Sequence, residues 1–328
     1  MENWRARLGM EVEPTAREFT QPIFVVGCMR SGTTFLLDKL TTHPQLLKVG
    51  NELRGVWTDI GGAPCEANAC LHREAKHLDP TATANMTAYF ADYIQQSQRL
   101  SRYLMRWQYR RRNGAGAISY DWEHVIPVNK STHLMNKIGY VQALFPQAKW
   151  VIIVREVMGQ VASMKKFVQQ NFPGQVFYLP EEEGDCWQIL AEERLTEAHI
   201  PANRYPDNIE ALAKMWLRLN HLAFQAIDNL PAEQVQVISY EELVTGQERV
   251  LSKVFSGLSL KPQHQPKVVD IAKRSVKPYN TLTSGNPLEK WKKHLTEEEQ
   301  AKIQAVLTEQ TAKYEYIRTS LQKHKISL

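Results

Sequence analysis

At 328 residues, 43% of them hydrophobic, the chain has enough apolar material for one large α/β domain with insertions, and a second domain is not required. A formal net charge of +5 suits an anionic ligand but is far too small a basic excess to indicate nucleic-acid binding. Four cysteines, Cys28, Cys65, Cys70 and Cys186, repeat no metal-ligand spacing and are too sparse for a disulfide scaffold, so a reduced protein without a metal is expected.

Residues 1–20 read as a polar lead-in with Trp4, Arg5, Arg7, Glu11, Glu13, Arg17 and Glu18 and no apolar core of a signal peptide. No later run is long and apolar enough to span a bilayer, and a cytoplasmic chain without membrane attachment is expected. An apolar strand over 22–27 leads through a glycine-bounded turn into a helix from Thr33 to about Thr42, closed by His43-Pro44. Residues 50–70 read as loop, with Gly61-Gly62 and Pro64. Three- and four-residue spacing of Met86, Tyr89, Phe90, Tyr93, Ile94, Ser97, Leu100, Leu104 and Trp107 predicts a helix over 84–112, whose tail carries Arg106 and Arg110–Arg112 on a solvated face. A short segment ends at Lys130 and a helix is expected near 134–145, stopping at Pro146. Trp150–Val154 reads as a buried parallel strand followed by a helix over 158–169. An irregular insert from Gln170 to Pro206 is the expected lid over a substrate. A helix over 208–229 then leads into a strand at Val235–Ser239. The alternation of strands and helices predicts an α/β fold, a P-loop-type parallel sheet with helices on both faces. The reading is of a single domain over 1–328, with insertions at 55–128 and 168–206 shaping the site.

Two stretches carry chemistry. Gly27 and Gly32 have the spacing of a phosphate loop, but Thr33 stands where a triphosphate loop needs lysine. Arg30, Ser31, Gly32, Thr33 and Thr34 suit a terminal phosphate better than a magnesium triphosphate. The strand at 150–154 runs into Arg155, where a nucleoside triphosphatase commonly places a magnesium-binding aspartate. The charge sign is inverted, and an arginine at that edge suits capture of a second phosphate. A nucleotide kinase or other NTP-binding protein, and a non-catalytic nucleotide-binding module, remain the rival readings of these residues.

The loop resembles the 5′-phosphosulfate loop of the sulfotransferases that use 3′-phosphoadenosine 5′-phosphosulfate (PAPS). Arg155 with Ser163 eight residues later resembles their 3′-phosphate motif, with Glu156-Val157 where the family often has Asp-Pro. The resemblance implies PAPS as donor, PAP as product, and in-line transfer without a metal. Gly50-Asn51-Glu52-Leu53-Arg54 resembles the tyrosylprotein branch, with Glu52 at the catalytic glutamate. Asn129-Lys130-Ser131-Thr132-His133 resembles both that branch and the cytosolic aryl and steroid branch, whose histidine is the base. Glu52 and His133 are therefore rival bases, with Lys130 on the bridging oxygen. Tyr240, in Ser239-Tyr240-Glu241-Glu242-Leu243, resembles the residue on the adenine side. Ser275, Lys277-Pro278 and Lys290 resemble the C-terminal segment that closes over the nucleotide. The acceptor is expected to be a small molecule or an acyl-carrier-protein-bound group, with a hydroxyl favoured and an amine left open. Neither nucleic acid nor membrane is an expected partner.

Overall fold

The structure is a computed structural model that describes residues 21–65, 70–103, 120–182, 184–261, 286 and 288–326. The first half of the chain runs β1 (Ile23–Val26), α1 (Thr33–Leu40), β2 (Leu46–Lys48), α2 (Arg54–Asp59), α3 (Pro80–Tyr103), β3 (Ile126–Lys130) and α4 (Ile138–Leu144). It continues through β4 (Lys149–Val154), α5 (Val157–Asn171), β5 (Gln175–Tyr178), β6 (Gln188–Ala191), β7 (Arg204–Tyr205) and α6 (Glu210–Ile227). Strand β8 (Val235–Ser239), α7 (Tyr240–Thr245), α8 (Gln247–Gly257), α9 (Glu297–Glu309) and α10 (Thr311–Lys323) follow.

Five strands form one parallel sheet in the order β2-β3-β1-β4-β8. Its central strands are apolar at almost every position because both faces are covered. The two-residue side-chain period divides them between two cores. Phe24, Val26, Trp150, Ile152, Val235 and Val237 enter one, and Ile23, Val25, Val151, Ile153 and Ile238 enter the other with Leu36 and Leu37 of α1. Helices thus lie on both faces, as expected. On the first face Phe24 packs against Trp150 with ring centroids 5.1 Å apart.

Helix α6 has Leu212, Trp216, Leu219, Ala223 and Ile227 buried, and α9 and α10 pack on it. The start of α9 is fixed by a reciprocal cap between Thr296 and Glu299. Glu299 also binds Lys165 of α5 at 2.6 Å, and Lys165 Nζ donates to the His294 carbonyl at 3.1 Å, so the C-terminal helices are clamped to the helix that follows β4.

Several segments differ from expectation. The 170–206 insert is not irregular: β5 pairs antiparallel with both β6 and β7 in a small second sheet. The run at 50–70 contains α2, and β2 adds an edge strand at 46–48 that has only three residues in which to show a period. The expected 134–145 helix is split, with a 3-10 turn at Thr132–Leu134 before α4 opens at Ile138. Helix α3 begins at Pro80, ahead of the apolar stripe, because proline tolerates the first helical turn. The lead-in and the basic stretch with Arg106 and Arg110–Arg112 lie outside the described residues. Among the described residues no helix is long and apolar enough to cross a membrane.

Candidate active site

Three adjacent strands, β3, β1 and β4, end in the residues singled out from the sequence. Strand β1 runs into the turn at 27–32, where the Ser31 N–H donates to the Cys28 carbonyl at 3.0 Å. Arg30 and Gly32 both adopt left-handed backbone conformations, φ 72° and 102°. Neither glycine admits a side chain. A Cβ on Gly27 would lie 2.5 Å from the Ile153 carbonyl and the Ser31 hydroxyl, and one on Gly32 would lie 2.6 Å from the Tyr240 ring. Helix α1 starts at Thr33, so the N–H groups of its first turn, which have no partner within the helix, adjoin the loop. Thr33 is buried and Thr34 exposed. The Ser31 hydroxyl is buried without a hydrogen-bond partner among the described residues.

Arg155 follows β4 and is held from three sides. Trp216 Nε1 donates to its carbonyl at 2.8 Å, its Nη1 donates to the Arg30 carbonyl at 3.1 Å, and its guanidinium lies over the Tyr240 ring, 4.3 Å from the centroid. A Cβ on Gly159 would come within 3.2 Å of Arg155 Nε, and that nitrogen is buried with no partner among the described residues. Arg30 lies over the Phe167 ring at 4.8 Å. Burial, with the charge of Arg155 beside it, pushes the Arg30 guanidinium down to about 10. Lys290, on a 3-10 turn at Lys290–Lys293, is lowered by burial and then by Lys166 and Arg155. Cations from three separate segments therefore raise the potential at one place. The nearby Glu156 carboxylate is engaged elsewhere, capping α5 through the Met158 and Gly159 N–H groups at 2.9 and 2.8 Å. Ser163 lies half-buried on α5. Ser275 and Lys277-Pro278 lie outside the described residues.

Strand β3 ends in Lys130, whose ammonium pairs directly with Glu52 Oε1. Glu52 Oε2 accepts from the Thr132 N–H at 2.8 Å and the Thr132 hydroxyl at 3.3 Å. Burial alone would raise the Glu52 carboxyl, but the charge and hydrogen bond of Lys130, with His133 and the Thr132 N–H, outweigh it and hold it below the usual range. Asn129 puts the glutamate there. It is wholly buried, and its Nδ2 donates to the Val49 and Asn51 carbonyls, each at 2.9 Å, which ties the loop carrying Glu52 to β3.

His133 faces another way. It is 1% exposed, packs against the tilted Trp187 ring with centroids 4.8 Å apart, and has Nδ1 3.3 Å from the Cys70 sulfur. Its Nε2 is buried without a partner among the described residues. The structure thus brings Arg30, Ser31, Gly32, Thr33, Arg155, Tyr240 and Lys290 around one cationic region and sets Glu52 with Lys130 at the end of the neighbouring strand. Sequence reasoning missed Asn129, Thr132, Trp216 and Phe167 as supporting residues. Asn129 had a signal, an amide beside Lys130 in a strand whose other residues are apolar. Trp216 had none, because it sits on the apolar stripe of its helix.

A model of the sulfotransferase family matches residues 22–264. No curated protein sequence matches the chain. Among solved structures, the sulfotransferase domain from the curacin biosynthetic pathway is 16% identical, covers 90% of this chain and 99% of that one, and has a TM-score of 0.45. A sulfotransferase from Alicyclobacillus acidocaldarius is 14% identical over 94% of this chain and 98% of that one, with a TM-score of 0.47. A mouse sulfotransferase complexed with PAP is 14% identical over 94% and 89%, with a TM-score of 0.42.

Proposed function

Because the chain belongs to the sulfotransferase family, we propose that it moves the sulfuryl group of PAPS to a hydroxyl of a small-molecule or carrier-tethered acceptor, with Glu52 as the base. The observation that carries this reading is the order of parts along the sheet edge: Glu52–Lys130 at β3, the phosphate loop at β1 and Arg155 at β4, on three neighbouring strands. Ligands of parallel sheets bind outside the carboxyl ends of the strands, where the strand order reverses.

The residues present fit a bisphosphorylated donor. A buried serine hydroxyl and a buried arginine Nε stand without partners among the described residues, and two glycines keep the loop clear of side chains. The loop 30–34 and the start of α1 would hold the 5′-phosphosulfate. Arg155 and Ser163, with Lys290 and Ser275 from the C-terminal segment, would hold the 3′-phosphate, and Tyr240 would lie toward the adenine. When bound, the donor supplies an activated sulfuryl group and a phosphate leaving group.

Lys130 keeps Glu52 ionised before an acceptor arrives. Once its ammonium turns from Glu52 Oε1 toward the phosphate loop, Glu52 loses the charge that depresses its pKa and becomes a stronger base at that oxygen. The acceptor proton then passes to Oε1, while Thr132 holds Oε2 in place. Lys130 meanwhile meets the negative charge that develops on the phosphate side. The Glu52 side chain is 21% exposed, so an acceptor can reach it. A cytoplasmic setting is part of the same proposal.

Titration with PAP and with Mg·ATP, followed by PAPS turnover on a panel of phenols, alcohols, amines and carrier-tethered alcohols, tests the reading. Binding of PAP with sulfation of a hydroxyl supports it. Tight Mg·ATP binding without PAP binding would remove the donor assignment, and turnover confined to amines would remove the acceptor assignment.

A further inference from the structure

Behind the Glu52–Lys130 pair lies a polar cluster that the transfer reaction does not use. Cys70, His133 and Cys186 are all buried, and their ligand-type atoms lie within 4.8 Å of one another. We propose that Cys70, His133 and Cys186 hold a structural zinc ion. The inference departs from the expectation of no metal.

Two thiolates and an imidazole are ligands that zinc takes. Zinc takes thiolate sulfur at about 2.3 Å and imidazole nitrogen at about 2.0 Å, which places tetrahedral ligand atoms roughly 3.5–3.8 Å apart. His133 Nδ1 and Cys70 Sγ are 3.3 Å apart. The backbone beneath is already assembled. The Cys186 N–H donates to the Cys70 carbonyl at 3.0 Å, Asn136 Nδ2 donates to the Gly184 carbonyl at 2.7 Å, and the His72 N–H donates to Asp185 at 2.9 Å. These bonds fasten the β5–β6 connection to the loop after α2. Both meet the run that follows β3, so three distant segments supply the ligands.

Lys137 supports zinc over a disulfide. It is wholly buried, with Nζ 3.3 Å from the Cys70 sulfur, 3.0 Å from the His133 carbonyl and 2.9 Å from Asn136 Oδ1. A Cys70–Cys186 disulfide would instead take the thiolate partner from a buried ammonium, which is costly. A lysine N–H on a coordinated thiolate also matches the supporting contacts that orient metal ligands. His133 is one residue from Thr132, whose N–H holds Glu52, so the ion would stiffen the wall that carries the base.

The test is the metal content of the purified full chain by plasma mass spectrometry after dialysis against a weak chelator. About one zinc per chain is expected, falling at least tenfold in Cys70→Ser and Cys186→Ser. Replacing zinc by Co²⁺ in the unmutated protein checks the ligands without relying on folded variants. A thiolate-to-cobalt charge-transfer band with tetrahedral visible bands is expected, and its intensity should drop in Cys186→Ser. A folded protein that carries no zinc and gives no such band on adding Co²⁺ would overturn the site. A Cys70–Cys186 disulfide found by peptide mass spectrometry would overturn it equally.

Discussion

The guanidinium of Arg155 and the ring of Tyr240 form a stacked pair at 4.3 Å, and the same ring fills the space into which a side chain at Gly32 would point. One aromatic residue after β8 therefore spaces both proposed phosphate sites. If Arg155 holds the 3′-phosphate, Arg155→Ala should weaken PAP by about 1.5–3 kcal/mol, the range of a charge-assisted contact. Adenosine 5′-phosphosulfate, which lacks that phosphate, should lose much less. Calorimetric titration of both ligands decides it, and equal losses would remove the assignment.

Gly32→Ala tests the other side of the same ring. The added methyl meets Tyr240 at 2.6 Å, and φ 102° is strained for any residue with a Cβ. Affinity for PAP and for adenosine 5′-phosphosulfate should fall together, because the fault lies in the 5′ loop. A variant that binds both normally would show that the loop does not hold the phosphosulfate.

Glu52→Gln keeps the size of the side chain and removes the base. PAP affinity should stay nearly intact while kcat drops by roughly two to four powers of ten. His133→Ala should act mainly through stability, since the ring is buried against Trp187. The reverse ranking in single-turnover assays would give the role to His133.

The pH dependence follows from the same pair. Glu52 is held below the usual carboxylate range, so the acid limb of kcat/KM should lie below that of an ordinary glutamate. Lys130→Met removes the charge responsible and should move the limb upward. Stability has the matching sign. A depressed carboxylate contributes fully above its unfolded pKa, and the contribution is lost as pH falls through the folded value. Urea midpoints measured across that acid range should fall more steeply for the parent than for Glu52→Gln.

Asn129 bears on both stability and chemistry. Asn129→Ala leaves the Val49 and Asn51 carbonyls without their donor, at a cost of about 1–3 kcal/mol. The loop that carries Glu52 loses its tie to β3, so kcat should fall while PAP affinity changes little. Chemical denaturation and steady-state kinetics on one preparation separate the two effects.

The parallel sheet was legible because β1, β4 and β8 are apolar runs bounded by polar turns, a pattern that needs no tertiary information. The small sheet at 175–205 was not. Its β7 has two residues, too few to show a period, and Pro173-Gly174 and Pro180 mark its turns as loop. The phosphate loop and Arg155 were found because each lies directly after a recognisable strand. Glu52 and Lys130 were found only as separate candidates, since their pairing spans 78 positions and depends on Asn129. The cysteine cluster was invisible for a similar reason: spacing rules recognise ligands from one or two short segments, whereas these converge from three.

Strand β1 is made before the other four strands of its sheet yet occupies the middle, and its partners β3 and β4 begin only at Ile126 and Lys149. Roughly a hundred residues leave the ribosome before either edge of Ile23–Val26 can pair, so the nascent chain carries an apolar strand with two open edges for several seconds at ordinary synthesis rates. A chain halted before Ile126 would still expose both edges of β1, the kind of surface that invites aggregation.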